Sequence, residues 1–286
     1  MQILLMISFS KIKAYIFITR PINVIITFLV VIVGALICVD GDYSIHKILL
    51  AAVAAGLTAG AGNIINDIHD KEADKINHPE RPLAKGIIST RNTWIEYFIL
   101  TLLAIAASSL INQTALAIVI LTSVLLYLYS ARLKKIPLIG NITVAYLTGL
   151  AFIFGGIAVN NIRGALIPAV FAFIINFIRE LIKDMDDIEG DTKVGLQSFP
   201  KRFGMKATIL LITSLTVTLI AFTFYPFIKN LYNIEFFVLA MLVVNPILVY
   251  FLKLLYEKNA SKNLNKLSNM LKLNMLFGLL AIFLGK

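Results

Sequence analysis
The sequence predicts an all-α polytopic membrane protein with nine transmembrane helices and a cytoplasmic N-terminus. Three observations carry that prediction. Of 286 residues, 59% are hydrophobic and only 15% are charged, against an apolar share of roughly 45–50% in soluble domains, and mean hydropathy is +0.86. Nine segments reach the length of about 20 mostly apolar residues that a spanning helix requires. The basic residues then fall almost entirely on one side of the resulting topology.

Taken in order, the spans cover 21–39, 48–66, 93–111, 114–131, 138–159, 163–183, 207–226, 234–254 and 268–285. The N-terminal stretch MQILLMISFSKIK has neither a basic leader nor a small-residue cleavage site, so no signal peptide is expected. Spans three and four meet at a short turn near Asn112 and Gln113, and five and six near Asn160 and Asn161, so each pair should be an antiparallel hairpin. An odd number of spans puts the termini on opposite sides. One set of loops holds 22 of the 26 basic residues; the other holds only Lys47, Arg163, Lys229 and Lys286. The crowded set is cytoplasmic by the positive-inside rule. The net charge of +10 is thereby explained without a nucleic acid. A single cysteine, Cys38, excludes an intramolecular disulfide. The scattered His46, His69 and His78 read as solvated or locally hydrogen-bonded imidazoles.

The acids are grouped more tightly than solvated loops would group them. Five of the 16 lie in 67–80 and six more in 180–191. Aligned, DIHDKEAD (67–74) and DMDDIEGD (184–191) match at four positions, pairing Asp67 with Asp184, Asp70 with Asp187, Glu72 with Glu189 and Asp74 with Asp191. At about 100° per residue, offsets of three and seven fall within roughly 60° of one another on a helix. Asp67, Asp70 and Asp74 thus share a face if the helix persists, as do Asp184, Asp187 and Asp191. Glu72 and Glu189 point about 140° away. Aspartates one turn apart repel unless cations neutralise them. Hard oxygen ligands without paired cysteines point to Mg²⁺, which takes one or two carboxylates, phosphate oxygens and water. The six aspartates are therefore candidate metal ligands for a bound polyphosphate.

Basic residues follow each window. Arg81, in PERPLAKG, suits bidentate contact with a diphosphate, while Lys85 and Lys193 can add point charge, and Lys183, just before the second window, is a further substrate-binding candidate. A third cytoplasmic loop, LYSARLKKIPLIGN (128–141), offers Tyr129 as an interfacial anchor or a partner for a developing cation. Its Arg132, Lys134 and Lys135 either meet phosphate or anchor the loop.

These residues together resemble a known family. Asn66-Asp67-x-x-Asp70-x-x-x-Asp74 with Asp184-x-x-Asp187-x-x-x-Asp191, the opening RPIN (20–23) and the RPL of 81–83 are similar to the UbiA superfamily of membrane prenyltransferases. The likeness extends over almost the whole chain, read as one domain over 1–286. It implies helices around a lipid-accessible central cavity, with two aspartate motifs binding Mg²⁺ and an isoprenyl diphosphate. Within the family, NHPERPLAKG, KDMDDIEGD and LYSARLKKIPLIGN are closest to the branch acting in archaeal ether-lipid synthesis. That branch moves a geranylgeranyl group from its diphosphate to the hydroxyl of geranylgeranylglyceryl phosphate, in the cell membrane with the site facing the cytoplasm. The resemblance gives Asp67, Asp70, Asp184, Asp187 and Tyr129 catalytic roles and places Asn23 and Asn66 at the substrate. It also expects the prenyl tail beside small and aromatic residues such as the GGIAV and FIF stretches of span five. One departure stands out: many members carry tyrosine, three residues, then lysine, whereas four residues separate Tyr129 from Lys134. Arg132 and Lys135 are therefore alternatives to Lys134.

Rival classes fit less well. A transporter with acidic gates would bury its acids deep within spans. A lipid-head phosphotransferase needs aspartate–glycine and alanine–arginine pairs at set spacing around its acids, and that arrangement is absent here. Within the family, an aromatic acceptor is the alternative. Oligomeric state is not encoded in any motif.

Overall fold
The computed structural model describes residues 12–188, 197–257 and 263–286, and every regular element among them is helical. The contacts divide the chain into two compact units. The first is 1–134 with 151–163, and the second is 135–150 with 164–286.

In the first unit, α1 (Ile12–Ile18) and α2 (Pro21–Leu36) are bent by 50° at Thr19 and Arg20. They are followed by α3 (Ile45–Asn77), α4 (Thr90–Ser109) and α5 (Gln113–Ala131). Ser89 caps α4 by accepting from the Asn92 N–H, and Asn112 caps α5 by accepting from the Ala115 N–H, which satisfies donors that a helix start leaves free. α3 is the hub on which α2, α4 and α5 pack. The second half of α6 (Ile139–Ala158) lies against α2, where a Cβ on Gly34 would sit 2.6 Å from the Phe152 carbonyl oxygen. Gly155 meets the Val31 carbonyl in the same seam. Phe152 and Phe154 are buried. The GGIAV and FIF stretches thus take part in close helix packing of the small-residue kind.

The second unit comprises the first half of α6, α7 (Leu166–Asp186), α8 (Phe199–Phe203), α9 (Met205–Phe222) and α10 (Phe224–Ile228). It continues with α11 (Ile234–Leu239), α12 (Asn245–Leu255) and α13 (Leu264–Gly285). A π-helical turn over Ala240–Val244 joins α11 to α12, ahead of Pro246, which cannot donate to the ladder. Ile178, Leu181, Ile182, Leu248, Phe251 and Leu267 form a fully buried centre.

Seven helices among the described residues are long and apolar enough to cross a membrane, or eight if the bent α1–α2 pair counts as one span. This is fewer than the nine expected. α2 alone has only 16 residues, and the polar first turns of α4, from Thr90 to Glu96, lower its hydropathy. Outward side chains such as Leu102, Leu121 and Leu242 are 64–72% exposed, an apolar surface suited to hydrocarbon and not to water.

Candidate functional site
α3 does not stop where its apolar run stops. Its 33 residues span about 50 Å at 1.5 Å each, well beyond a hydrocarbon core of about 30 Å. The surplus carries the acidic motif as a rigid helical extension. Asp67, Asp70 and Asp74 consequently lie along one face, and each meets a cation.

Asp67, 2% exposed, accepts from Arg20 Nη2 at 2.7 Å and from Arg81 Nη1 at 3.4 Å. The same Arg81 nitrogen reaches both oxygens of Asp74 at 2.7 Å. Lys134 Nζ donates to Asp70, and also to Asn66 Oδ1 at 3.4 Å. A buried carboxylate costs several kcal/mol unless it is paired, so the face is stable because three cations alternate with three carboxylates. Its outer edge is bland. Glu72 pairs with Lys75 and is exposed, and His69 makes edge-on ring contacts with Trp94 and Tyr127 at 6.5 and 5.7 Å.

Local backbone explains how the cations arrive. Arg20 has φ 54° and ψ 72°, a left-handed conformation that costs a non-glycine residue about 1–3 kcal/mol. It occurs in the break before α2, where Asn63 of α3 donates to the Thr19 carbonyl at 2.8 Å and accepts from Arg20 Nη1 at 3.5 Å. The break thus turns Arg20 onto α3. Arg81 sits on the loop from α3 to α4, which is anchored by buried Pro82 and Leu83 and turned by Gly86 at φ 76°, a conformation open to glycine. Sequence reasoning placed Arg20 only among the cytoplasmic basic residues and chose Asn23 from the same RPIN stretch. Asn23 is exposed; its N–H donates to the Arg20 carbonyl at 2.9 Å and its own carbonyl accepts from Thr27 at 3.0 Å.

The remaining candidates are distributed as follows. Tyr129 is half-buried in the last turn of α5; Lys85, Arg132 and Lys135 are exposed. Of the three basic residues after Tyr129, Lys134 is the one that touches the acidic face. In the second unit, Asp184 Oδ2 accepts from Asn141 Nδ2 at 3.0 Å. α7 ends at Asp186 and Asp187 is its exposed cap residue, so Asp184 lies in the last turn and Asp187 just past it. Asp184, Asp186 and Asp187 crowd the negative end of the helix dipole, which favours termination there. Lys183 pairs with Glu180. Asp191 and Lys193 lie outside the described residues.

The donor set fits Mg²⁺. Carboxylate and amide oxygens already hold one cationic nitrogen between Asp67 and Asp74 and another between Asn66 and Asp70. Among the described residues no three acidic, histidine or cysteine side chains converge on one point, so any ion here would use one or two carboxylates and complete its shell elsewhere, as Mg²⁺ does.

With that geometry in view, comparison with known proteins is informative. Residues 27–276 match the UbiA prenyltransferase family. The digeranylgeranylglyceryl phosphate synthase of Methanopyrus kandleri is 36% identical over 94% of this chain and 97% of its own. That of Methanobrevibacter smithii is 35% identical over 95% and 97%. A solved structure of a digeranylgeranylglyceryl phosphate synthase aligns with a TM-score of 0.80 at 34% identity, covering 96% of this chain and 98% of the other. A UbiA homologue from Archaeoglobus fulgidus, solved with DMAPP and Mg²⁺, shares the fold at TM-score 0.69 and 21% identity, over 94% and 98% of the two chains.

Proposed function
The chain belongs to the UbiA prenyltransferase family, and from that premise we propose that it is a Mg²⁺-dependent geranylgeranyltransferase of archaeal ether-lipid synthesis. Its donor is geranylgeranyl diphosphate and its acceptor the free hydroxyl of geranylgeranylglyceryl phosphate. Residues 1–286 act as one catalytic domain in the cell membrane, with the site at the cytoplasmic face. The observation that carries the chemistry is the alternation of Asp67, Asp70 and Asp74 with Arg20, Arg81 and Lys134. Such a face offers partners of both signs to a metal diphosphate. Relatives named for this reaction over nearly their full length support the choice of substrates.

Asp67, Asp70 and Asp74, with Asp184, Asp187 and Asp191 of the second motif, are the residues that would hold Mg²⁺. When bound, the ion supplies Lewis-acid neutralisation of the leaving group. Arg20, Arg81 and Lys134 turn from the carboxylates to the diphosphate oxygens and stabilise the charge that develops there. The allylic carbon–oxygen bond breaks, with its electron pair leaving on the diphosphate. The acceptor oxygen forms the new ether bond to that carbon, and its proton passes to a carboxylate or to the released diphosphate. Tyr129 presents its ring or oxygen to the allylic cation, and Asn66 orients the acceptor or a metal ligand.

Purified protein given labelled geranylgeranyl diphosphate and candidate acceptors tests this directly by product mass. The expected product is the diether phosphate, lost on chelation of Mg²⁺ and in Asp67→Ala and Asp184→Ala. Transfer that survives either substitution unchanged refutes the metal assignment. A product formed only with an aromatic acceptor refutes the choice of substrate.

A further inference from the structure
The second unit contains a charged group that the donor chemistry leaves unused. Arg179 and Lys183 stand one turn apart on α7 and donate to the same oxygen of Glu180, Arg179 Nη1 at 3.2 Å and Lys183 Nζ at 2.5 Å. From α13, which packs along α7, Lys272 lies within electrostatic reach of all three. Two cations therefore hold one carboxylate, with a third on the neighbouring helix. Glu180 is 8% exposed and the Arg179 side chain 17%, while Lys183 is 40% exposed at its side chain and Lys272 is exposed, so the group is buried at Glu180 and open to a ligand at the two lysines. Arg179 Nε is buried and has no hydrogen-bond partner among the described residues.

Basic residues at the ends of spans need no special account when they face water. A buried glutamate holding two cations together, and an arginine with an unused buried donor, do need one. Excess like charge in a partly buried place is unfavourable until an anion joins it. The surplus here is two positive charges, the charge of one phosphate monoester dianion. Arginine supplies a planar fork for its oxygens and lysine a point charge.

We propose that Arg179, Lys183 and Lys272 form the seat for the phosphate group of the acceptor lipid, with Glu180 tying the two α7 cations together. The inference rests on the lipid-phosphate acceptor proposed above. Position agrees with it: Lys183 is one residue from Asp184, and only the short glycerol skeleton separates the acceptor's phosphate from its reacting hydroxyl. One molecule can therefore seat its phosphate on these cations and present its hydroxyl at the acidic end of the same helix.

The test is calorimetric titration of detergent-purified protein with geranylgeranylglyceryl phosphate, with the same lipid lacking its phosphate, and with the donor diphosphate plus Mg²⁺. Lys272→Met removes an exposed charge and keeps the apolar stem; Arg179→Gln removes the buried one; Lys272→Arg restores charge. Lys272→Met should weaken binding of the lipid phosphate about tenfold, the loss of one charge-assisted contact. Lys272→Arg should recover it, and the other two ligands should bind as in the unsubstituted protein. Equal affinity for the lipid phosphate in Lys272→Met and the unsubstituted protein overturns the seat. So does a loss that falls on the donor, or equally on the phosphate-free lipid. An unsubstituted protein that fails to bind the lipid phosphate refutes the acceptor reading itself, and the seat with it.

Discussion
Replacing Arg81 by alanine should tighten the binding of a divalent ion while slowing catalysis, a pair of effects with opposite signs. Without ligand, one Arg81 nitrogen occupies both oxygens of Asp74 at 2.7 Å and reaches Asp67 at 3.4 Å. A metal ion must displace it to use those carboxylates. At 2.7 Å the gross attraction is about 6 kcal/mol for an effective dielectric of 20, but the net worth of a charged hydrogen bond is only about 1.5–3 kcal/mol. Arg81 is 22% exposed, which argues for the lower figure. Removing a competitor of about 1.5 kcal/mol raises affinity roughly tenfold. The assay is titration of purified protein with Mn²⁺, followed by electron paramagnetic resonance without diphosphate. Turnover should fall about 10²–10³-fold, the usual loss on removing one donor to a developing anion. Ion binding that is unchanged or weaker in Arg81→Ala would refute the idea that Arg81 and the ion compete for Asp67 and Asp74.

Two further outcomes follow from the same contacts. Lys134→Met should depress turnover at least tenfold, whereas Arg132→Gln and Lys135→Gln should leave it within about twofold, because only Lys134 reaches Asp70 and Asn66. Steady-state rates on the three variants check this, and equal losses would mean that the loop acts only as an anchor. At Arg20, glycine should be better tolerated than alanine by about 1 kcal/mol, since both lose the bond to Asp67 but only glycine accepts φ 54° without strain. Thermal unfolding in detergent should then place Arg20→Gly about 2 °C above Arg20→Ala; the reverse order would show that the break before α2 relaxes once the side chain is gone.

Much of this molecule was legible because membrane helices announce themselves by long apolar runs. The expected spans 114–131 and 138–159 nearly coincide with Gln113–Ala131 and Ile139–Ala158. Span two was cut short at 66, since hydropathy ends where charge begins, but the helix continues to Asn77 with its carboxylates neutralised. That persistence is what lets the three-and-seven spacing of Asp67, Asp70 and Asp74 act as a face. In the second motif α7 ends at Asp186 with Asp187 as its cap, and Asp191 lies outside the described residues. Arg20 was illegible for a different reason. Its contact with Asp67 depends on a left-handed residue between α1 and α2, and the break there is held in part by Asn63 of α3, a partner 44 residues from Thr19. Lys134 lay between the two. The spacing after Tyr129 left three basic residues in play, and only the fold distinguishes the one that turns onto Asp70.

The alternation of charge on α3 also bears on the order in which ligands bind. Asp67, Asp70 and Asp74 have side-chain exposures of 3%, 22% and 7%, so stripping their cations away would leave buried charge uncompensated, at about 3–5 kcal/mol for each broken pair. An ion arriving alone takes carboxylates and leaves Arg20, Arg81 and Lys134 unpaired. A diphosphate arriving alone takes the cations and leaves the carboxylates unpaired. A metal diphosphate carries both signs, and every pair broken on the protein is replaced by one made to the ligand. On the proposed function, the face therefore favours the complex over either component. It also keeps its partners in place when no donor is present, which protects a set of aspartates that could not otherwise stand one turn apart on a helix.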